Sequence, residues 1–305
     1  MTRLRRSRRG SATRKPPSPG RGDKPVLVPP LQNGSLAESP RSGSVFDYIS
    51  ASRLSLWLKC PLAFRLKYID GIQFRTPPAA FLGKQVHSGI EWYYRHRQLG
   101  LAVTPDDIGV FMREDWGRSV AVEGMQFESA AGEAQLQSKA GELVRVYLAK
   151  VASETTRPVA VETAVETPLV DLRSGENLGI PLVGVMDLVL EEDCGPLIVD
   201  FKTAARADQL SELSHEVQLG CYVYLFRETT GTTESALEIR RLVKTKKPQV
   251  SFHRWPARTG NQFGRLFAVI RAYLDDLHSQ RFVSRPGQAC SYCDFREQHC
   301  REWSG

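Results

Sequence analysis

The segment GVMDLVLEEDCGPLIVDFKT, Gly184 to Thr203, constrains the fold more than any other part of the chain. It reads as two strands joined by a short turn at Cys194-Gly195-Pro196. The run LIVDFK is apolar enough to be buried, yet it carries Asp200 and Lys202, and its hairpin partner carries Asp187. Charge in a buried strand is costly unless it is paired or holds an ion. The aspartates are 13 residues apart, and a hairpin of that length brings such positions together. Two carboxylates at one point repel each other. A divalent cation removes the repulsion, and hard oxygen ligands suit Mg2+ or Mn2+. Lys202 lies two residues beyond Asp200 and so projects to the same face. There it can orient a water or offset charge on a phosphate. The set suits metal-assisted hydrolysis of a phosphodiester. The motif D-x-K alone also fits an Asp–Lys pair at an exposed hairpin edge.

Around this hairpin the pattern changes character twice. Short helices are predicted from about Ser52, as N-cap, through Leu54, Trp57 and Leu58, and again after Pro61. Cys60 sits at their junction. A long helix is expected from about Ala79 to Gln98, with His87 on it, and two more near 105–122 and 131–152. From Arg157 the chain becomes β-like: VAVETAVETPLV, IPLVGVMDLVLEE and PLIVDFKT. A helix over about 209–228 carries Gln218, Tyr222 and Tyr224, the last read as packing. Two strands, ALEIRRLVKT and QVSFHRW, and a helix at about 259–281 follow. This order predicts an α/β core, a mixed sheet flanked by helices, with a helical region before it. Glu162 and Glu166 fall on the first strand; either is within reach of the site, but an exposed strand face is the expectation for both. The domain reading is a basic tail over 1–45, then one domain over 46–305. That domain divides into a helical part (46–155), a sheet core (156–283) and a cysteine-rich end (284–305).

The net charge of +7 belongs to the tail. Residues 1–45 hold ten Lys or Arg against two acids, and the other 260 residues are close to neutral. Rich in Arg, Ser, Pro and Gly, the tail is expected to be disordered. A nucleic-acid arm, an inert extension and a mitochondrial-type presequence all fit it, whereas a secretory signal does not. No apolar run approaches the ~20 residues of a membrane span, so no membrane partner is expected. The chain has no GxxxxGK[ST], hence no P-loop motor of its own.

Six cysteines are present, and three of them form C-x2-C-x6-C at Cys290, Cys293 and Cys300. Nothing suggests secretion, so an intracellular, cytoplasmic setting is expected, and such crowding there points to a metal or cluster rather than disulfides. Cys194 and Cys221 read as ordinary thiols.

Taken in order, these motifs resemble the PD-(D/E)XK nuclease superfamily and, within it, the RecB-like branch with its AddB-type and CRISPR-adaptation members. SASRLSLWLKCPLAFRLKYI looks like the branch's first helical segment and GKQVHSGIE like its G-x3-H motif. GVMDLVL and LIVDFKT look like its paired acidic motifs, QLGCY like its Q-x3-Y motif, and LVKTKKPQV like a strand pair of many members. CSYCDFREQHC looks like its terminal cysteine motif. The resemblance implies a restriction-endonuclease-like fold with a cysteine-clamped C-terminus. It implies His87, Asp187 and Asp200 as ligands of Mg2+ or Mn2+, Lys202 as the catalytic lysine, and Gln218 and Tyr222 lining the site. It also implies that Cys60, Cys290, Cys293 and Cys300 hold a structural 4Fe-4S cluster stapling the chain's two ends. The last spacing is x6 rather than the usual x5, which keeps Zn2+ as an alternative. The implied function is a DNA exonuclease acting on single strands or ends in repair or recombination, with any helicase on a separate partner. A catalytically silent DNA-binding scaffold of the same fold and a nuclease acting on RNA or in CRISPR adaptation are the alternatives.

Overall fold

The structure, a computed structural model, describes residues 44–206 and 212–300, so the predicted tail lies almost entirely outside the described residues. Seven helices and five strands follow one another in these residues. They are α1 (Ala51–Lys59), α2 (Pro61–Tyr68), α3 (Pro78–Gln98), α4 (Pro105–Glu123), α5 (Ala130–Val151), β1 (Arg157–Val170), β2 (Asn177–Glu192), β3 (Gly195–Ala204), α6 (Glu212–Thr230), β4 (Ala236–Val243), β5 (Gln249–Pro256) and α7 (Gly260–His278). Local chemistry sets several boundaries. Thr104 and Asp107 form a reciprocal capping box at the start of α4, whose first helical residue is Pro105. Ser50, not the expected Ser52, caps α1 by accepting from the Arg53 N–H at 3.3 Å. Ser52 lies inside the helix, with its hydroxyl 3.0 Å from that of Ser50. None of the described helices is long and apolar enough to cross a membrane.

The sheet runs in order β1-β2-β3-β4-β5. All neighbours are antiparallel except β3 and β4, which α6 joins as a parallel crossover. Helices cover both faces. Leu54 and Trp57 of α1, Leu219 to Phe226 of α6 and the apolar side of α7 pack on one face. Phe81, Val86 and Tyr94 of α3, Met112 and Trp116 of α4, and Leu143 and Tyr147 of α5 pack on the other. This is the mixed, helix-flanked sheet the sequence predicts.

One irregularity in this layering concerns the site. Successive residues of a strand alternate between faces, so Val161 and Val165 should share one. Instead Val161 packs into the α3–α5 layer and Val165 into the α1–α6–α7 layer. On β2, Leu188 and Met186 divide in the same way. The register pairs Val161 with Leu188 and Thr163 with Met186, which leaves Glu162 facing Asp187. Glu162 has φ +41°, the left-handed region that a non-glycine residue rarely takes. Both strands therefore change faces at the Glu162–Asp187 position.

Two close approaches hold helices at this point. A Cβ on Gly83 of α3 would lie 2.9 Å from Thr203 Oγ1 on β3, so the missing side chain lets α3 settle against the sheet. A Cβ on Gly184 of β2 would lie 2.7 Å from Leu225 Cδ1 on α6. Gly184→Ala is expected to destabilise the fold by roughly 1–3 kcal/mol through overpacking, read from urea unfolding. Adding Leu225→Val should return part of that loss, a coupling that a double-mutant cycle measures. Unchanged stability of the single variant would show that α6 does not rest on this contact.

Candidate active site

Asp187 and Asp200 face each other because the β2–β3 register pairs Leu188 with Val199. Asp200 is almost wholly buried, at 1% exposure. Gln218 Nε2 donates to its Oδ1 at 2.9 Å, and Lys202 Nζ donates to the same oxygen at 3.0 Å. The other oxygen, Oδ2, stands 2.8 Å from the Lys202 ammonium but accepts no aligned hydrogen bond. Asp187 Oδ2 accepts from the Phe201 backbone N–H at 2.8 Å. His87 Nδ1 lies 3.8 Å from the same carboxylate oxygen. The imidazole comes from α3, one turn beyond Gly83, and its ring edge meets Phe201. Gln218 Nε2 also donates to Tyr222 Oη at 2.9 Å, one helical turn along α6. The six residues expected here from the sequence, His87, Asp187, Asp200, Lys202, Gln218 and Tyr222, gather from α3, β2, β3 and α6. Of the three expected metal ligands, however, only His87 and Asp187 share a set whose ligand atoms lie within 4.8 Å of one another, and its third member is Glu162 rather than Asp200.

Glu162 departs from expectation. It does not lie on an exposed strand face, because the left-handed turn at its α-carbon carries it into the cleft. One ligand atom each from His87, Glu162 and Asp187 lies within 4.8 Å of the others. Glu166, four residues on, is exposed as predicted. His215 of α6, which the sequence reading passed over, stands close enough to Lys202 to feel its charge. Its pKa is lowered, chiefly by burial and then by Lys202 and Arg241. Tyr224 packs, and its hydroxyl donates to Pro168 O at 2.9 Å.

Burial dominates the electrostatics. It raises Asp187 and Asp200 above the ordinary carboxylate range; the Phe201 N–H and then Lys202 pull Asp187 back, while at Asp200 Lys202 pulls back and the Asp187 carboxylate opposes ionisation. Glu162 is pushed up to about 8, first by burial and then by Asp187 and Glu91. His87 is held below its ordinary value by burial and by Lys202. Tyr222 is raised by burial and both aspartates, so its hydroxyl keeps its proton. Three carboxylates and one cationic lysine crowd this cleft. A divalent cation fits it: an imidazole and two carboxylates converge, and the neighbouring Asp200 keeps one buried oxygen short of a hydrogen bond. A groove of about 510 Å³ runs from Asp187, Gln218 and Tyr222 past Val185 to Tyr48, Ser50, Ser52 and Ser55 at the start of α1.

A second constellation lies at the chain's two ends. Cys60, Cys290, Cys293 and Cys300 line one small cavity of about 90 Å³. Cys60 links α1 to α2, and Cys290 sits in a 3-10 turn over Gln288–Tyr292 that Cys293 ends. Arg285 Nη1 donates to Leu58 O at 2.6 Å, and the Leu62 N–H donates to Val283 O at 3.3 Å, which fixes the returning segment. Phe295 packs on Ala63 and Leu66 of α2. Among the described residues no three of these sulfurs lie within 4.8 Å of one another. A tetrahedral zinc would hold its sulfurs ~3.8 Å apart, given bonds of about 2.3 Å. Cys194 is exposed and Cys221 buried, each away from this cavity, as expected.

A family model described as the PD-(D/E)XK nuclease superfamily matches residues 48–301. Among solved structures, the chain is similar to a candidate exonuclease from Eubacterium rectale, with 14% identity, a TM-score of 0.50, and 81% of this chain and 87% of that one covered. It is also similar, at 13% identity and a TM-score of 0.40, to SSO0001, covering 82% of this chain and 84% of that one. No curated protein matches.

Raised carboxylate pKa values give a signed prediction. Glu162, Asp187 and Asp200 bind protons more tightly folded than unfolded, so their contribution to stability falls as pH rises. The window opens near the unfolded values of about 4 and closes near 8, the folded value of Glu162. His87, shifted the other way, opposes this below its ordinary value, one group against three. In EDTA, the melting temperature of Asp187→Asn should therefore fall less than wild type between about pH 5 and pH 8. A steeper fall in the variant would contradict burial as the cause.

Proposed function

The chain belongs to the PD-(D/E)XK nuclease superfamily, and from that premise we propose that it is a Mg2+- or Mn2+-dependent deoxyribonuclease of the RecB-like branch. One observation carries the reading: His87 and Asp187 converge beside Asp200 and Lys202 in a cleft that opens on a groove. A divalent cation held by His87, Asp187 and Asp200 would supply charge neutralisation at the phosphate and a more acidic water. The chain's own groups do the positioning. Gln218 fixes Asp200 and turns the Tyr222 hydroxyl by donating to both. The Lys202 ammonium, held by Asp200, has one side toward the cleft, where it can orient water or a phosphoryl oxygen. Tyr222 accepts from Gln218 and keeps its own proton free to donate into the groove. Tyr48 and Val185 offer that groove a ring and an apolar surface, and Ser50, Ser52 and Ser55 offer hydroxyls. These suit the bases and phosphates of a single strand. Exonucleolytic action on single strands or ends, in repair or recombination, is the assigned setting, with a separate helicase as partner. A cytoplasmic location is part of the same proposal, as a compartment that keeps cysteines reduced and able to bind a metal or cluster.

The four clustered cysteines are proposed to hold a 4Fe-4S cluster. They line one cavity, Cys60 from the α1–α2 junction and the other three from the returning segment. Its role would be structural, since it lies between α1–α2 and the chain's returning end.

Two measurements test this. Protein purified without oxygen is incubated with end-labelled single-stranded DNA, duplex DNA and RNA, with Mg2+, Mn2+ or EDTA. Cation-dependent DNA cleavage is expected, reduced roughly 10²-fold or more in Asp200→Asn. Equal cleavage by the variant would remove Asp200 from the chemistry, and preferential RNA cleavage would reassign the substrate. For the cysteines, bound iron and sulfide are assayed in wild type and Cys293→Ser. Both should be present in wild type and lost, with a lower melting temperature, in the variant; zinc without iron would overturn the cluster.

A further inference from the structure

The geometry points to Glu162 as a further ligand of the catalytic cation, completing a His87–Glu162–Asp187 set that the paired acidic motifs do not contain. The inference rests on the nuclease reading of the same site. Three independent observations support it. First, one ligand atom of each residue lies within 4.8 Å of the other two. Second, the register puts Glu162 opposite Asp187, so two carboxylates confront each other across adjacent strands. Like charges so placed are destabilising unless something shares them. The described residues do not supply that partner. Arg95, the nearest cation by its influence on Glu162, is bound to Glu91 at 2.7 Å, and no ion pair or hydrogen bond reaches Glu162 itself. Lys202 is held by Asp200.

Third, the backbone is arranged to bring the carboxylate there. Without the left-handed residue, β1 would keep strict alternation, and Glu162 would fall on the same face as Glu166, which is exposed. At φ +41° the strand instead changes layers between Val161 and Val165. Glycine takes this conformation at no steric cost, yet the position holds a glutamate. Imidazole with carboxylates favours Mn2+ over Mg2+ among the biological divalent cations that such a set accepts.

The test uses MnCl2 alone, without nucleic acid, and reads bound Mn2+ from the loss of the free-ion paramagnetic resonance signal. Wild type, Glu162→Gln, Glu162→Gly, Asp187→Asn and, as a surface control, Glu166→Gln are compared. Melting temperatures are recorded in EDTA and in Mn2+. Glu162→Gln and Glu162→Gly should weaken Mn2+ binding by roughly tenfold or more, with Glu166→Gln unchanged. In EDTA at about pH 9, where Glu162 and Asp187 are both ionised, both Glu162 variants should melt higher than wild type, Gln by removing repulsion and Gly by relieving the backbone as well. Their gain on adding Mn2+ should be smaller. A purely structural glutamate would give the opposite sign: lower melting in EDTA and unchanged Mn2+ affinity. That result overturns the assignment. If Asp187→Asn loses Mn2+ while both Glu162 variants bind it like wild type, the nuclease site stands and the Glu162 inference falls. If wild type binds no Mn2+, the metal-dependent reading falls first and this inference with it.

Discussion

Negative charge confined where water is scarce organises this molecule. Asp187, Asp200 and Glu162 meet at the junction of β1, β2 and β3, with Lys202 as the cation in direct contact. The rest of the architecture is built around tolerating that arrangement. The backbone N–H of Phe201 and the amide of Gln218 each donate to a carboxylate. α3 and α6 are drawn close by Gly83 and Gly184, so that His87 and Gln218 arrive from opposite layers. A sheet optimised for stability alone would place valine or leucine here. The cost of burying these carboxylates is the physical trace of what they are for.

Much of this was legible in the sequence because it depends on local periodicity. The spacing of Asp187 and Asp200 about a short turn implies their pairing, and the two-residue step to Lys202 implies a shared face. The parallel crossover through α6 follows from a helix between two apolar strands. Glu162 was legible only as one of two glutamates within reach of the site, not as the one that enters it. VAVETAVETPLV alternates well enough to put Glu162 and Glu166 on one face, and nothing in the composition marks a single residue for the left-handed region. That conformation is imposed by what the two strands must pack against on either side. The N-cap was misread on a smaller scale: Ser50 and Ser52 are equally good caps, and the geometry of the chain entering α1 selects Ser50.

The cysteine cavity solves a different problem. α1 and α2 are short, with little surface of their own to bury, and they come before everything they pack against. Asp276 on α7 accepts from the Trp57 indole at 3.0 Å, and Phe295 fills the space beside Ala63 and Leu66. The start of α1 also forms one wall of the groove leading to Asp187. Anchoring the first helices to the returning segment therefore fixes one bank of the groove as well as the molecule's ends.

That closure bears on how the protein is made. Cys60 leaves the ribosome long before Cys300, and α1 waits through all five strands for the segment that covers it. Contacts of such sequence separation form late, because the loop entropy comes before the reward. The strands carrying the carboxylates can pair while the groove still lacks a fixed bank. During synthesis, the chain would thus hold its paired carboxylates before it holds the groove that leads to them. The segment carrying Cys290, Cys293 and Cys300 sets the moment at which a pile of acids on a sheet gains a walled groove.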